Sequence, residues 1–176
     1  LEKDISMISP DYLVIGRQGT TDFGGIIDLI CMDSSGDLVV VELKRGLTPR
    51  EVTAQALDYA SWITDLSHQR ITEIAAEYLP ETTDLESTFR EAFGIDLPET
   101  LNESHNILIV AESMDSSTER IVKYLHARGI PINVLTVQHF KSSNDTELLA
   151  QVFLIEPSDT TERVKTQSKR KQNLSM

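Results

Sequence analysis

Apolar residues in this chain form short runs with two different spacings, one typical of strands and the other of helices. Short runs bounded by turn residues predict strands at 12–15, 25–32, 38–44, 106–111, 132–137 and 149–155. Apolar positions three and four residues apart predict helices at 1–8, 49–65, 71–78, 85–93 and 117–128. Because strands and helices alternate in the second half, the pattern predicts an α/β fold with a mixed central β-sheet flanked by helices.

Capping residues predict where two of these helices begin. Thr48, followed by proline and by Glu51 three residues on, matches a capping box with the threonine as N-cap. Ser116 or Ser117 is expected to cap the helix that follows it. The segment 16–25, rich in glycine and threonine, is expected to be a loop or an irregular strand.

The strands at 25–32 and 38–44 are expected to form an antiparallel hairpin. A three-residue hairpin loop commonly ends in a residue with positive φ, and Gly36 stands in that place. If Asp33 faces Asp37, the register sets Asp28 directly opposite Glu42, which puts two carboxylates side by side.

Lys44 is expected to lie on the same face of the hairpin as Glu42, since side chains alternate along a strand. Opposed like charges destabilise a strand pair, and burial increases that cost, so a divalent cation with oxygen ligands is the simplest compensation. The alternative is a solvated charged face on which Lys44 neutralises Glu42. The strongly apolar run from Leu38 to Lys44 favours a buried strand that brings polar groups to a site.

Charge and composition limit the functional classes. The chain has 176 residues and a net charge of -12, which argues against a basic protein that coats DNA. Its single cysteine, Cys31, excludes an internal disulfide, and no Cys/His cluster has zinc spacing.

No apolar run is long enough for a membrane span, and no secretory signal is visible, so we expect no membrane partner and a cytoplasmic location. One domain is expected over 1–156, followed by a basic, polar and disordered tail over 157–176. The first residue is not methionine, which suggests a piece of a longer protein.

Taken together, these residues resemble the PD-(D/E)xK (restriction-endonuclease-like) nuclease superfamily. Asp28 is followed, after thirteen residues, by the sequence Glu42-Leu43-Lys44, and Gln55 and Tyr59 match the QxxxY element of RecB-like members. The surrounding sequence, including the Thr-Asp-Phe-Gly-Gly stretch before Asp28, resembles the catalytic domain of NucS-type endonucleases. The resemblance is dense over residues 1–63 and looser to about 155.

The resemblance implies a restriction-endonuclease-like fold and metal-dependent hydrolysis of DNA phosphodiester bonds. It implies that Mg²⁺ or Mn²⁺ is bound by Asp28, Glu42 and the backbone carbonyl of Leu43, with support from Glu2. Lys44 would assist the attacking water, and Gln55 would lie near it.

Nucleic-acid contacts are expected from Arg17, Arg45 and Arg50, which are close in sequence to the carboxylates, and from Tyr59 as a base-stacking ring. The arginines could equally be ordinary solvated charges, and Trp62 fits core packing better than stacking. The function implied is a metal-dependent DNA endonuclease in repair or defence. The alternative is a DNA-binding or assembly module with little turnover. DNA is the expected partner, a DNA-binding domain or protein outside this chain could select it, and homodimerisation is left open.

Overall fold

The computed structural model describes residues 9–141 and 147–156. Its strands are β1 (Leu13–Thr20), β2 (Ile26–Met32), β3 (Leu38–Thr48), β4 (His105–Met114), β5 (Ile132–Lys141) and β6 (Glu147–Phe153). Its helices are α1 (Glu51–Ile63), α2 (His68–Tyr78), α3 (Leu85–Phe93) and α4 (Ser116–Ala127). Glu2, the helix predicted at 1–8 and the tail predicted at 157–176 lie outside the described residues.

The strands form one sheet in the order β1-β2-β3-β4-β5-β6. β1, β2 and β3 pair antiparallel in sequence, as do β5 and β6. β4 and β5 are neighbours joined through α4, the βαβ connection that links parallel strands. The predicted fold class, a mixed sheet with flanking helices, is confirmed.

The chain divides into two compact units, and both β3 and α1 contribute to each. The first unit comprises the described residues up to 42 together with 56–107. The second comprises 43–55 together with the described residues from 108 onward. The 40% apolar content is enough to give the first unit a continuous core, which includes Ile30, Val40, Ile63, Ile71, Ile74 and Phe89.

β1 is longer than predicted because its irregularity is absorbed without ending the strand. The register with β2 shifts between Val14 and Gly16, which is a β-bulge. A side chain at Gly16 would approach Ile74 to 3.0 Å, so glycine lets the helix layer come close. The expectation of an irregular strand therefore holds up to Thr20, and a turn follows it.

Both capping predictions in the second unit are wrong. α1 begins at Glu51, and the Thr48 hydroxyl has no hydrogen-bond partner among the described residues. Thr48 instead ends β3, where its carbonyl accepts from the Asp115 amide (3.3 Å) and the Thr118 hydroxyl (3.1 Å). α4 is capped by Asp115, whose carboxylate accepts from the Thr118 amide at 2.6 Å. A carboxylate complements the helix dipole better than a hydroxyl does, which accounts for the shift of one residue.

No helix within 9–141 and 147–156 combines the length and the apolar character that crossing a membrane requires.

Candidate functional site

The hairpin of β2 and β3 has the predicted register. Leu29 pairs with Val41 and Met32 with Leu38, and the loop closes with the Asp33 amide donating to the Asp37 carbonyl at 3.0 Å. Gly36 has the expected positive φ, +79°. The same register continued by one residue beyond Leu29 sets Asp28 opposite Glu42.

The Glu42 carboxylate lies almost entirely out of solvent, with 1% of the residue exposed. Asp28 is half-buried. Alternation along the strands puts them on the face of Ile30 and Val40, and both of these belong to the core of the first unit. The other face of the hairpin is buried as well, since Leu29 and Val41 are at most 2% exposed. The carboxylates therefore lie at the edge of an apolar layer.

Lys44 is held by a hydrogen bond within the second unit. Its ammonium nitrogen Nζ donates to the Gln55 side-chain oxygen Oε1 at 3.1 Å, and both residues are half-buried. Val52, Ala56 and Ile63 of α1 are at most 2% exposed, while Gln55 of the same helix meets the lysine. This contact fixes the direction of a long, flexible side chain that would otherwise sample many rotamers.

The donor set offered by this segment consists of oxygens. Asp28 and Glu42 supply carboxylates, and the Leu43 carbonyl lies between Glu42 and Lys44 on β3. Among the described residues, no group of three or more His, Cys, Asp or Glu side chains could hold a metal ion. Mg²⁺ keeps several of its waters and needs only one or two carboxylates, so two carboxylates and a carbonyl fit it and do not fit zinc.

The three predicted arginine contacts lie on exposed surface. Arg17 is exposed on β1 and Arg45 on β3. Arg50 is exposed beside α1, and its Nε lies 3.2 Å from a carboxylate oxygen of Glu51. Such an exposed ion pair contributes little to stability, so it leaves Arg50 available for a phosphate.

Tyr59 does not offer a ring face to a nucleobase, which corrects the prediction of a stacking role. It is 4% exposed and belongs to the core of the first unit, as does Trp62 at 6%. A Cβ added to Gly25 would lie 2.5 Å from Tyr59 Cε1, so the ring is closely covered. The QxxxY pattern did not predict the burial of its second member.

Phe23 is the most exposed aromatic side chain among the described residues, and sequence reasoning did not single it out. It is 72% exposed at the turn that joins β1 and β2. Nothing in the periodicity distinguishes it, because a phenylalanine beside two glycines is compatible with a buried or an exposed ring. Cys31, in contrast, is in the core as expected, and burial raises the pKa of its thiol to about 12.

These features define an α/β protein with two carboxylates opposed across a hairpin and a hydrogen-bonded lysine on the same strand as one of them. No protein-family model and no curated protein matches the chain. Two solved structures are similar to it. One is the crystal structure of a repair endonuclease from Pyrococcus abyssi, with 18% identity over 74% of this chain and 41% of that chain and a TM-score of 0.41.

The other is the structure of the EndoMS-dsDNA2 complex, with 22% identity over 76% of this chain and 40% of that chain and a TM-score of 0.44. The chain thus spans about two fifths of the length of each. The first of them is a repair endonuclease. A likeness of this degree transfers no residue role, so each role has to be argued from this chain's own side chains.

Proposed function

We propose that this chain is a divalent-cation-dependent nuclease that hydrolyses phosphodiester bonds in DNA. The observation that carries the proposal is the Glu42 carboxylate, 1% exposed within β3, directly after the apolar run 38–41 and two residues before Lys44. A carboxylate is rarely kept in such a position without a compensating cation.

Asp28, Glu42 and the Leu43 carbonyl would hold Mg²⁺ or Mn²⁺. The cation would supply Lewis-acid chemistry, acidifying water and stabilising negative charge on a phosphate. Glu2 remains a predicted supporting ligand from the sequence resemblance. The carboxylates also orient the attacking water by accepting its hydrogens.

Lys44 would act on the reacting phosphate and the water. Its ammonium, directed by Gln55, donates hydrogen bonds where negative charge develops as the water oxygen bonds to phosphorus. Gln55 is therefore a positioning residue, which acts through Lys44. Arg17, Arg45 and Arg50 would bind neighbouring phosphates and set the register of the strand.

The sharpest test compares Lys44→Ala with Lys123→Ala in cleavage and gel-shift assays on the same DNA. Lys123 is an exposed lysine of α4, and its ammonium lies 2.6 Å from Glu119. Lys44→Ala is expected to reduce the cleavage rate roughly 10²–10³-fold and to weaken binding much less, because removing one preorganised charge has effects of that order. Lys123→Ala should cut like the wild type. Equal cleavage by both variants would remove Lys44 from the chemistry.

A second test measures the metal directly. Titration calorimetry with Mn²⁺ should show binding to the wild type, weaker binding to Asp28→Asn and unchanged binding to Asp58→Asn, an exposed aspartate of α1. Bound metal should also raise the melting temperature, because it relieves repulsion between Asp28 and Glu42. Equal affinities for the wild type and Asp28→Asn would reject the metal site.

The second candidate function is a DNA-binding or assembly module with little turnover. It is favoured by the lack, among the described residues, of a cluster of three metal-ligating side chains. Tight DNA binding by the wild type without cleavage in Mg²⁺ or Mn²⁺ would support it over the nuclease.

A further inference from the structure

The segment 45–48, which follows Lys44 on β3, is anchored at two points. The Gly46 amide donates to the Glu112 side-chain oxygen Oε2 at 3.0 Å. Two residues further on, the Thr48 carbonyl accepts from two groups at the start of α4, at 3.3 and 3.1 Å. Both anchors and the lysine belong to the second unit. The contact with Glu112 is the one nearer to Lys44 along the chain.

Gly46 gives this segment a bend, because its backbone is left-handed with φ at +70°. A Cβ added there would meet no atom of the described residues within 4 Å, so the glycine is required by the backbone conformation and not by crowding. The side chains on either side of it, Arg45 and Leu47, are both exposed. The Glu112 carboxylate therefore restrains a bend that is not fixed by the packing of these neighbours.

The strand that carries Glu112 explains how the carboxylate reaches this bend. Glu112 is the first exposed residue of β4 after five buried ones, 107–111, and β4 is the neighbour of β3 in the sheet. A hydrogen bond to an ionised acceptor is roughly twice as strong as a neutral one. A carboxylate so close to Arg45 also repels a phosphate, which opposes DNA binding. Its presence there therefore calls for a compensating benefit, and the fixed bend supplies one.

We propose that Glu112 is a positioning residue for DNA binding, which acts through Arg45 by fixing the bend at Gly46. This inference rests on the proposed function, because it takes Arg45 as a phosphate contact. The Gly46 amide nitrogen is bonded to the carbonyl carbon of Arg45, so a rotation of this peptide changes the direction in which Arg45 leaves the strand. Lys44 is affected less, because Gln55 holds its ammonium separately. Affinity for the substrate therefore depends on Glu112 more than the chemical step does.

The test compares two neutral variants, Glu112→Gln and Glu112→Ala, by fluorescence anisotropy on the DNA of the cleavage assay, in EDTA so that no cleavage occurs. Both remove the same negative charge, and only glutamine keeps a side-chain oxygen that accepts from the Gly46 amide. Glu112→Gln should bind at least as tightly as the wild type. Glu112→Ala should bind about 2- to 12-fold more weakly than Glu112→Gln, the range expected for one hydrogen bond. Glu91→Ala, which removes an exposed charge on α3, is the matched control and should bind like the wild type.

A double-mutant cycle identifies the residue through which Glu112 acts. In the Arg45→Ala background, the difference in affinity between glutamine and alanine at position 112 should vanish, because effects that pass through one shared residue are not additive. In steady-state cleavage, Glu112→Ala should raise KM and leave kcat unchanged, since Lys44 keeps its hydrogen bond to Gln55. A contact that served only the stability of the strand end would show neither the loss of the difference nor the split between KM and kcat.

Each other outcome overturns the proposal. Equal affinities of Glu112→Gln and Glu112→Ala, or a difference that persists in the Arg45→Ala background, would make Glu112 an ordinary strand-end contact. Tighter binding by Glu112→Ala than by Glu112→Gln would show that the side chain competes with a phosphate for the Gly46 amide. Absence of DNA binding by the wild type would also exclude the role. The nuclease proposal is judged separately, since loss of cleavage in Lys44→Ala needs no difference between the variants at position 112.

Discussion

The two turns at the ends of β2 are closed by the same kinds of local interaction, and they differ in what covers them. The 33–37 loop and the 21–25 turn are both closed by backbone and side-chain hydrogen bonds, and each contains a glycine at positive φ. The 33–37 loop lies under the segment 98–104. Asp37 accepts from the Ser104 amide at 2.8 Å, and the Asn102 amide donates to the Gly36 carbonyl at 2.9 Å.

In the 21–25 turn, Tyr59 packs against Gly25 and Trp62 donates to Asp22, whereas a Cβ added at Gly24 would meet no atom of the described residues within 4 Å. The two rigid turns therefore hold different things in place. The covered loop fixes the register that sets Asp28 opposite Glu42, and the open turn holds Phe23 in position at no visible benefit to packing.

The largest expected difference between the turns comes from adding one methyl group to each positive-φ glycine. At Gly36 the new Cβ would lie 2.9 Å from Leu101 Cδ2, whereas at Gly24 it would meet nothing. Gly36→Ala should lower the free energy of unfolding by about 2–4 kcal/mol, through left-handed strain and crowding together. Gly24→Ala should lower it by only about 1–2 kcal/mol, through strain alone. Urea denaturation measures both, and equal losses would contradict the difference in cover.

A smaller effect is expected when the open turn is detached from the core. Asp22→Ala leaves the buried Trp62 indole N–H without its acceptor and should cost about 1–2 kcal/mol. Trp62 is the only tryptophan in the chain, so its fluorescence should become more accessible to acrylamide. Asp22→Asn keeps an acceptor oxygen and should restore most of the loss. Identical behaviour of the two variants would show that the hydrogen bond is unimportant.

A pH dependence is expected from the covered loop. Burial raises the pKa of Asp37, and the same cause raises the pKa of Asp33. A carboxyl with a raised folded-state pKa stabilises below its unfolded value of 3.8 and loses that contribution as pH rises through the folded value. The stability of the wild type relative to Asp37→Asn should therefore fall as pH rises from about 3 to 6.

Asp84 provides the opposite control for that experiment. Its pKa is lowered, chiefly because its carboxylate accepts from the Ser87 amide at the start of α3. Its contribution is present above 3.8 and is lost as pH falls through the lower folded value. The stability of the wild type relative to Asp84→Asn should thus rise with pH, and parallel profiles for the two variants would contradict both assignments.

Local signals were sufficient for most of the fold. The glycine at 36 and the flanking alternation predicted the hairpin and its register, because turn chemistry and pleat are properties of neighbouring residues. The capping predictions failed at Thr48 because its carbonyl bonds to Asp115 and Thr118, about seventy residues away. Such tertiary hydrogen bonds leave no trace in a local pattern.

At the candidate site too, local sequence signals and long-range packing differ in what they could predict. The sequence resemblance implied that Gln55 lies near the site, and the hydrogen bond that Lys44 donates to it is a finding of the structure. The burial of Tyr59 and the exposure of Phe23 depend on how α1 packs beneath the 21–25 turn. Aromatic character is equally compatible with a core and a binding surface, so the pattern of residues did not predict that the Tyr59 ring is buried.

The smallest expected effect on stability is that of Phe23→Ala. It tests most directly the comparison between the 21–25 turn and the 33–37 loop. Substitutions of exposed side chains usually change the free energy of unfolding by less than about 0.5 kcal/mol. A ring that is 72% exposed above an open glycine should follow that rule, in contrast to Leu101, which covers the other turn and is 9% exposed. Leu101→Ala should cost about 2–4 kcal/mol, since it leaves a cavity. If urea denaturation shows a loss above about 1 kcal/mol for Phe23→Ala, the ring packs on the protein in solution. If the loss is negligible, the Phe23 ring contributes little to the stability of the fold, and the contrast between the turn under Leu101 and the 21–25 turn holds.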